Sequence, residues 1–191
     1  FDIRVRRGEE RDREIIAEAQ ACGADLIVAR RRGKQGILAN LLVGEMVGKV
    51  ATRAPCSVLL VPRAGRMWTR RVLAAVDGSQ ASASVAEAAA QVAADASLSL
   101  LVLSVSSHDS PDGRAVADAA VADAMAIAAS ICANVEGRSA VGHSAEAIVA
   151  VAADADADLI VVGRGGPSHH GHHFGLGGCA HGRPALHARA A

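Results

Sequence analysis

Aromatic residues are almost absent from this chain of 191 residues, which has no tyrosine. The aromatic side chains are Phe1, Trp68 and Phe174. Proteins that bind single-stranded nucleic acid usually stack the bases on aromatic rings, so this scarcity argues against that class. The formal net charge of zero also argues against general nucleic-acid binding. We therefore expect no nucleic-acid partner.

Long apolar segments and paired cysteines are missing as well. No apolar run reaches the ~18 residues of a membrane-spanning helix, so we expect no membrane partner. The sequence starts at Phe1 without the basic and apolar segments of a secretory leader. The cysteines lie far apart and form no CxxC pair, which favours reduced thiols over a disulfide framework. These features predict a cytoplasmic protein.

The strongest positive signal is an internal repeat. Residues 24–33 read ADLIVARRRG, and residues 157–166, at an offset of 133, read ADLIVVGRGG. The glycine spacing persists downstream, from Gly33 to Gly44 and from Gly166 to Gly177. A phase shared across a strand and a loop indicates two copies of one domain.

Hydrophobic period and chain-breaking residues predict strands that alternate with helices. The predicted strands cover residues 2–6, 26–29, 57–61, 72–76, 98–105, 135–141 and 159–162, with 26–29 interpreted as buried. The predicted helices cover residues 9–22, 44–53, 79–94, 114–132 and 144–153. Ser79 or Ser82 is the predicted N-cap of the third helix. The alternation predicts an α/β fold with a doubly wound parallel sheet covered on both faces.

The repeat divides the chain into a first unit over residues 1–62, a linker over 63–70 and a second unit over 71–191. At the offset of 133, the first copy has no counterpart of residues 72–134. The first copy ends with the strand-like segment APCSVLLV at residues 54–61. The second copy offers only residues 187–191 at that position, after a segment rich in histidine and glycine. We therefore expect its closing strand to be missing.

A candidate ligand site follows from the ends of the predicted strands. Asp77 comes directly after one strand, and Val105 ends the next. Doubly wound sheets bind ligands at the carboxyl ends of their strands. Gly163 and Gly166, followed by Gly177-Gly178, would let the backbone approach a phosphate. The alternative is that Asp77 only caps the following helix or turn, and that the glycines reflect a glycine-rich composition.

In combination, these motifs resemble the universal stress protein family. The resemblance rests on Val76-Asp77-Gly78-Ser79, on the DLIV strands with their following glycines, and on the APC segment at residues 54–61. It covers nearly the whole chain, as a bacterial tandem member truncated at the front. It implies a five-stranded parallel sheet of order 3-2-1-4-5, in one partial and one nearly complete copy. It also implies a stress-response role that often includes binding of an adenine nucleotide.

The resemblance implies particular roles in ATP binding. Asp77 would hold the ribose or adenine side and the backbone at Val105 the adenine edge, while Gly163, Gly166, Gly177 and Gly178 would surround the phosphates. The second copy departs from the family in having Gly178 in place of a hydroxyl residue and a spacer of ten rather than nine. No metal is expected beyond the Mg²⁺ that accompanies ATP.

The first copy departs further from the family motif. Arg30 stands in place of the first glycine, and Glu45 stands where the family has Ser or Thr. A carboxylate beside a triphosphate is repulsive unless a cation intervenes. We therefore expect no nucleotide site in the first copy.

Other hypotheses stay open. One is a nucleotide-free interaction module that forms a homodimer or pseudo-dimer through sheet edges, since family members commonly pair through their last strand, here residues 57–61. A weaker one is metal binding by His169, His170, His172 and His173. The motifs GxSxG, HExxH and GK[ST] are absent, so we expect no enzyme, or at most slow ATP hydrolysis.

Overall fold

The computed structural model describes residues 1–30, 45–62, 65–164 and 185–188. This part of the chain contains helices and strands that alternate as predicted. The helices are α1 (Arg11–Ala21), α2 (Glu45–Arg53), α3 (Ala81–Asp95), α4 (Pro111–Ala129) and α5 (Ser144–Asp154). The strands are β1 (Leu26–Arg30), β2 (Ser57–Val61), β3 (Arg71–Val76), β4 (Ser99–Ser106), β5 (Val135–Val141), β6 (Leu159–Val162) and β7 (Ala185–Ala188). None of the described helices is both long enough and apolar enough to span a membrane.

The described strands form a single sheet of order β1-β2-β7-β6-β3-β4-β5. All neighbouring strands run parallel except β6 and β7. Within the second copy, β5-β4-β3-β6 follow the first four places of the predicted order, 3-2-1-4, and β7 lies in the fifth place but runs antiparallel to β6. The predicted α/β fold is therefore confirmed, with one antiparallel pair as the departure from a fully parallel sheet.

The second copy has apolar layers on both faces of the sheet because side chains alternate along each strand. Val72 and Ala74 of β3 pack in a cluster with α3 and α4, whereas Leu73 packs in a second cluster with α5. The buried face of α3 consists largely of alanines, namely Ala86, Ala89, Ala90 and Ala93. These small side chains allow the helix to lie close to the sheet. Covered faces on both sides are the arrangement that the alternation of strands and helices predicts.

A strand, β7, lies next to β6 where we expected no closing strand, but it runs antiparallel to β6 and is therefore not the counterpart of β2, which pairs in parallel with β1. β7 pairs in parallel with β2 and antiparallel with β6. These two neighbours run in opposite directions, so a strand between them is necessarily antiparallel to one of them. Inserting β7 pairs backbone groups that β2 and β6 would otherwise expose. β2, predicted as a dimerisation edge, is consequently paired on both sides within the chain.

Residues 2–6 do not form the predicted strand. Ile3 and Val5 are 81% and 85% exposed, and no described strand pairs with this segment. The equivalent strand of the second copy, β5, is paired with β4, which has no counterpart in residues 1–62. Arg4 and Arg6 instead form ion pairs with Glu18 of α1, each at 2.8 Å. An alternating apolar pattern is therefore not enough to form a strand here, because residues 2–6 have no neighbouring strand to pair with.

β1 is a strand, as predicted, but it is not buried. Ile27 and Ala29 pack against an apolar cluster that includes Val47 and Ala51 of α2. On the other face, Leu26 and Val28 are open to solvent. The prediction of a buried strand was wrong because only one face of β1 is covered in the described part of the chain.

The segment before β3 is fastened to the second copy by a buried carboxylate. Asp158, at the start of β6, is 8% exposed and accepts hydrogen bonds from the backbone N–H groups of Thr69, Arg70 and Arg71. The N···O distances are 2.7, 3.2 and 3.3 Å. Trp68 packs against the cluster beneath α3 and α4. The predicted division into units at residues 63–70 stays a prediction, although residues 68–71 belong structurally with the second copy.

Candidate functional site

Three of the predicted site residues meet at one edge of the sheet. In the strand registers, Val76 lies opposite Ser104 and Ala75 lies opposite Val162. Asp77, Val105 and Gly163 therefore lie at the carboxyl ends of the neighbouring strands β3, β4 and β6. The chain runs from β3 to β4 on one side and later returns to β6 on the other. Such a reversal of strand order opens a crevice where doubly wound sheets bind ligands.

Asp77 organises the turn between β3 and α3. Its Oδ1 accepts hydrogen bonds from the backbone N–H of Ser79 at 3.0 Å and from the hydroxyl of Ser82 at 3.1 Å. The N–H of Asp77 donates to the same hydroxyl at 3.2 Å. Gly78 has φ +74°, a backbone conformation that residues other than glycine rarely adopt, which explains why glycine stands at this position. Asp77 therefore does cap the turn that follows it, as one of the two interpretations of this residue predicts.

The predicted N-cap of α3 was wrong. The N-cap residue is Gln80, and no side chain caps the helix there. The hydroxyl of Ser82 is engaged by Asp77 instead, one residue inside the helix. Serine is a common cap, which favoured Ser79 or Ser82, but the Ser82 hydroxyl donates to the Asp77 carboxylate rather than capping the helix.

The pKa of the Asp77 carboxyl lies below its usual range. Partial desolvation raises this pKa, but the hydrogen bonds from Ser79 and Ser82 stabilise the ionised form and outweigh it. Asp77 is thus an anionic acceptor at neutral pH. Its second oxygen, Oδ2, receives no hydrogen bond from any described residue.

We expect Asp77 to stabilise the folded chain at neutral pH and to lose this effect in acid. A folded-state pKa below the unfolded one favours folding above the unfolded pKa, and the gain disappears as pH falls through the folded pKa. Urea unfolding of the wild type and Asp77→Asn between neutral and strongly acidic pH measures this. The stability difference should shrink on acidification; a difference that grows would contradict the prediction.

Val105 is half-buried near the end of β4 and packs against the cluster on the α5 face. It lies opposite Ala140 of β5. Just beyond it, the carbonyl of Ser106 accepts a hydrogen bond from the N–H of Gly142 at 2.9 Å, which continues the pairing of β4 with β5 to the end of the strand. The backbone that follows β4 therefore borders the crevice beside Asp77.

Gly163 ends β6 against the first turns of α3. A Cβ added there would lie 3.4 Å from Cγ2 of Val85 and 3.5 Å from Cβ of Ala81, which is ordinary contact. Its neighbour Arg164 is 7% exposed and donates from Nη1 to the carbonyl of Ala54 at 2.5 Å. Arg164 thus joins the candidate site to the residue that follows α2 in the first copy.

Arg164 and Asp158 were not identified from the sequence. An arginine inside the glycine motif, between Gly163 and Gly165, was a usable signal for Arg164. For Asp158, the signal was the repeat itself, because Asp25 occupies the equivalent position in the first copy. Neither signal identifies the partner, since Ala54 and Thr69 are distant in sequence.

Several predicted residues lie outside the described part of the chain. These are Gly166, Gly177 and Gly178, and the histidines His169, His170, His172 and His173. Elsewhere, among the residues that the structure describes, no cluster of three His, Cys, Asp or Glu side chains is arranged to hold a metal ion.

The first copy presents a different opening at the corresponding strand ends. An open surface depression there is lined, among the described residues, by Val28 and Arg30 of β1, by Val61 and Pro62, and by Gly65. It does not touch Asp77, and its wall carries a cation where the second copy has Gly163.

Several solved structures have folds similar to that of this chain. A universal stress protein from Pseudomonas aeruginosa superposes with a TM-score of 0.65 at 22% identity, over 95% of this chain and 69% of its own. A universal stress protein from Archaeoglobus fulgidus gives a TM-score of 0.61 at 18% identity, over 94% of this chain and 65% of its own. A universal stress protein solved in complex with cAMP aligns at 27% identity over 49% of this chain and 72% of its own, with a TM-score of 0.44.

Sequence comparison gives the family directly. No curated protein matches the chain as a relative. The profile of the Universal stress protein family matches residues 2–62 and again residues 69–181, in the two segments that the repeat separates. Together these segments span most of the chain, and the superposed folds agree with them. The chain therefore belongs to the universal stress protein family.

Proposed function

We propose that this chain is a non-enzymatic stress-response protein, of cytoplasmic location, that binds an adenine nucleotide, ATP, in its second copy. The observation that carries the proposal is the meeting of Asp77, Val105 and Gly163 at the crevice between β3 and β6. Strand ends at a reversal of strand order are where this architecture accommodates ligands. The family resemblance supplies the chemical class of ligand.

The chemistry of the crevice suits such a ligand in part. The ionised Asp77 offers Oδ2 as an acceptor for the ribose hydroxyls. The backbone after β4 offers polar groups to the adenine edge. Gly163, with Gly166, Gly177 and Gly178, would allow the backbone to approach the phosphates. Mg²⁺ would accompany the nucleotide, bound mainly by its phosphate oxygens.

The test is isothermal titration of the whole chain with ATP and Mg²⁺. We expect Asp77→Asn to weaken ATP binding about 10-fold or more, because a hydrogen bond to a charged group contributes about 1.5–3 kcal/mol. Asparagine keeps the Oδ1 acceptor for Ser79, so the turn is preserved while the anionic acceptor is lost.

Asp95→Asn is the matched control, since Asp95 is an exposed residue at the far end of α3. It should bind ATP as the wild type does. The absence of binding heat with millimolar ATP in the wild type would exclude the proposal, and equal affinity of the two variants would exclude the role of Asp77.

A further inference from the structure

A buried arginine joins the candidate site of the second copy to the first copy. Arg164 directly follows Gly163 at the end of β6 and is 7% exposed. Its Nη1 donates a hydrogen bond to the carbonyl of Ala54 at 2.5 Å, across 110 positions of the sequence. Ala54 itself is fully buried in the first copy. The residue next to the strand end that borders the crevice is therefore anchored inside the other copy.

The carbonyl that Arg164 binds lies at the C-terminal end of α2. The N–H of Ala54 donates to the carbonyl of Val50 at 2.9 Å, with the spacing of an α-helical hydrogen bond. The last carbonyls of a helix have no partner within it and carry partial negative charge, so a guanidinium is a favourable partner for them. α2 has nine residues, and a helix this short depends on tertiary contacts. The hydrogen bond from Arg164 therefore stabilises the end of α2.

The strand that follows α2 also contacts the core of the second copy. β2 begins three residues after Ala54. Leu59 of β2 belongs to the apolar cluster that contains Val161 of β6 and Val85 of α3. On the other face of β2, Val58 packs in the cluster of the first copy together with Ala54. The end of β6 and the end of α2 are therefore connected both by Arg164 and by the packing of β2.

The backbone that Arg164 anchors is the part of the proposed site assigned to the phosphates. Gly163 lies between the end of β6 and the first turns of α3. Glycine restricts the backbone little, so a segment that contains it loses much conformational freedom when a ligand orders it. That loss weakens binding unless the segment is ordered beforehand. An anchor at the next residue orders it before the ligand arrives.

We propose that Arg164 is a positioning residue that couples the two copies. It holds the phosphate side of the nucleotide site against the first copy, and bound ATP in turn stabilises the end of α2. This inference rests on the proposed function. The two effects have the same free energy, because coupling between two sites is reciprocal. The guanidinium stays on the Ala54 carbonyl when ATP is bound, while the backbone at Gly163 approaches the phosphates. The first copy, in which we expect no nucleotide site, thereby supports the site of the second.

The test follows hydrogen exchange of the backbone amides of residues 50–54 in the full chain by NMR, with and without ATP and Mg²⁺. Isothermal titration measures ATP binding to the same samples. Saturating ATP should slow exchange of these amides about 5-fold or more, as for a typical coupling between sites. Arg164→Met keeps an unbranched stem but loses the donor, so it should abolish the slowing and weaken ATP binding by a similar factor. Arg138→Met is the matched control, since Arg138 is a partly exposed arginine of β5 paired with Asp154, and it should behave as the wild type.

The sign of the change in exchange tests the coupling in the wild type alone, so it does not depend on the folding of a variant. Faster exchange at residues 50–54 with ATP would mean that the guanidinium leaves Ala54 to bind the phosphates, and would overturn the proposal. Equal slowing in the wild type and in Arg164→Met would also overturn it, because the coupling would then run through β2. ATP binding with unchanged exchange would remove the coupling alone, whereas no binding heat would remove the proposed function and the coupling together.

Discussion

Replacing Leu159 with alanine is expected to lower the free energy of unfolding by about 3 kcal/mol. Leu159 is 0% exposed and lies in the cluster between β3, β6 and α3. Truncation removes buried methyl groups and leaves a cavity that tightly packed neighbours fill only in part. Urea unfolding measures the loss. The expected change alters the ratio of folded to unfolded molecules by more than 100-fold.

The control for this prediction is the same substitution at the repeat-equivalent position. Leu26 has the same side chain in the equivalent strand of the first copy but is 44% exposed. Leu26→Ala removes less buried area and leaves no closed cavity, so it should cost less than about 1 kcal/mol. Equal costs at the two positions would mean that β1 is covered to the same extent as β6 in solution.

Replacing Asp158 with alanine is expected to cost about 3 kcal/mol as well, for a different reason. The carboxylate holds three backbone N–H groups, those of Thr69, Arg70 and Arg71. Its removal leaves these donors without acceptors beside a buried side chain, and each unsatisfied group costs about 1–3 kcal/mol before water compensates. The segment that contains Trp68 should loosen with it. Trp68 fluorescence during urea unfolding therefore reports both the stability and the local change.

Asp156→Asn is the control for Asp158. Asp156 is also ion-paired with Arg70, but its side chain is 65% exposed. It has φ +54°, which asparagine tolerates well. Surface ion pairs contribute little, so this change should cost less than about 1 kcal/mol. A cost similar to that of Asp158→Ala would show that charge near Arg70, and not the three backbone hydrogen bonds, matters.

The sequence was most informative where a strand has neighbours of its own copy. The strands Ser57–Val61, Val135–Val141 and Leu159–Val162 have the predicted bounds. Residues 2–6 alternate equally well but have no partner strand, and a strand exists only as part of a ladder. Conversely, residues 185–188 have weak strand propensity and pair because β2 and β6 both present open edges. Pairing that depends on distant edges leaves no local pattern in the sequence.

The candidate site divides in the same manner. Asp77, Val105 and Gly163 could be placed together because the ends of parallel strands meet at one sheet edge. Arg164 and Asp158 could not, because their roles depend on backbone groups that lie 110 and 87 to 89 positions away in the sequence. A carbonyl or an N–H group has no residue signature, so a side chain that binds one is not recognised from residue types alone.

The position of β7 affects the order in which the chain acquires its structure during synthesis. β3, β4, β5 and β6 pair among themselves and can assemble as soon as residues up to 162 have left the ribosome. Among the described strands, β2 joins this sheet through β7, in which Ala185 pairs with Val58. The strands of the first copy therefore join the sheet after most of the second copy has folded. This late, long-range closure raises the contact order of the whole molecule and is expected to be its slowest step in folding.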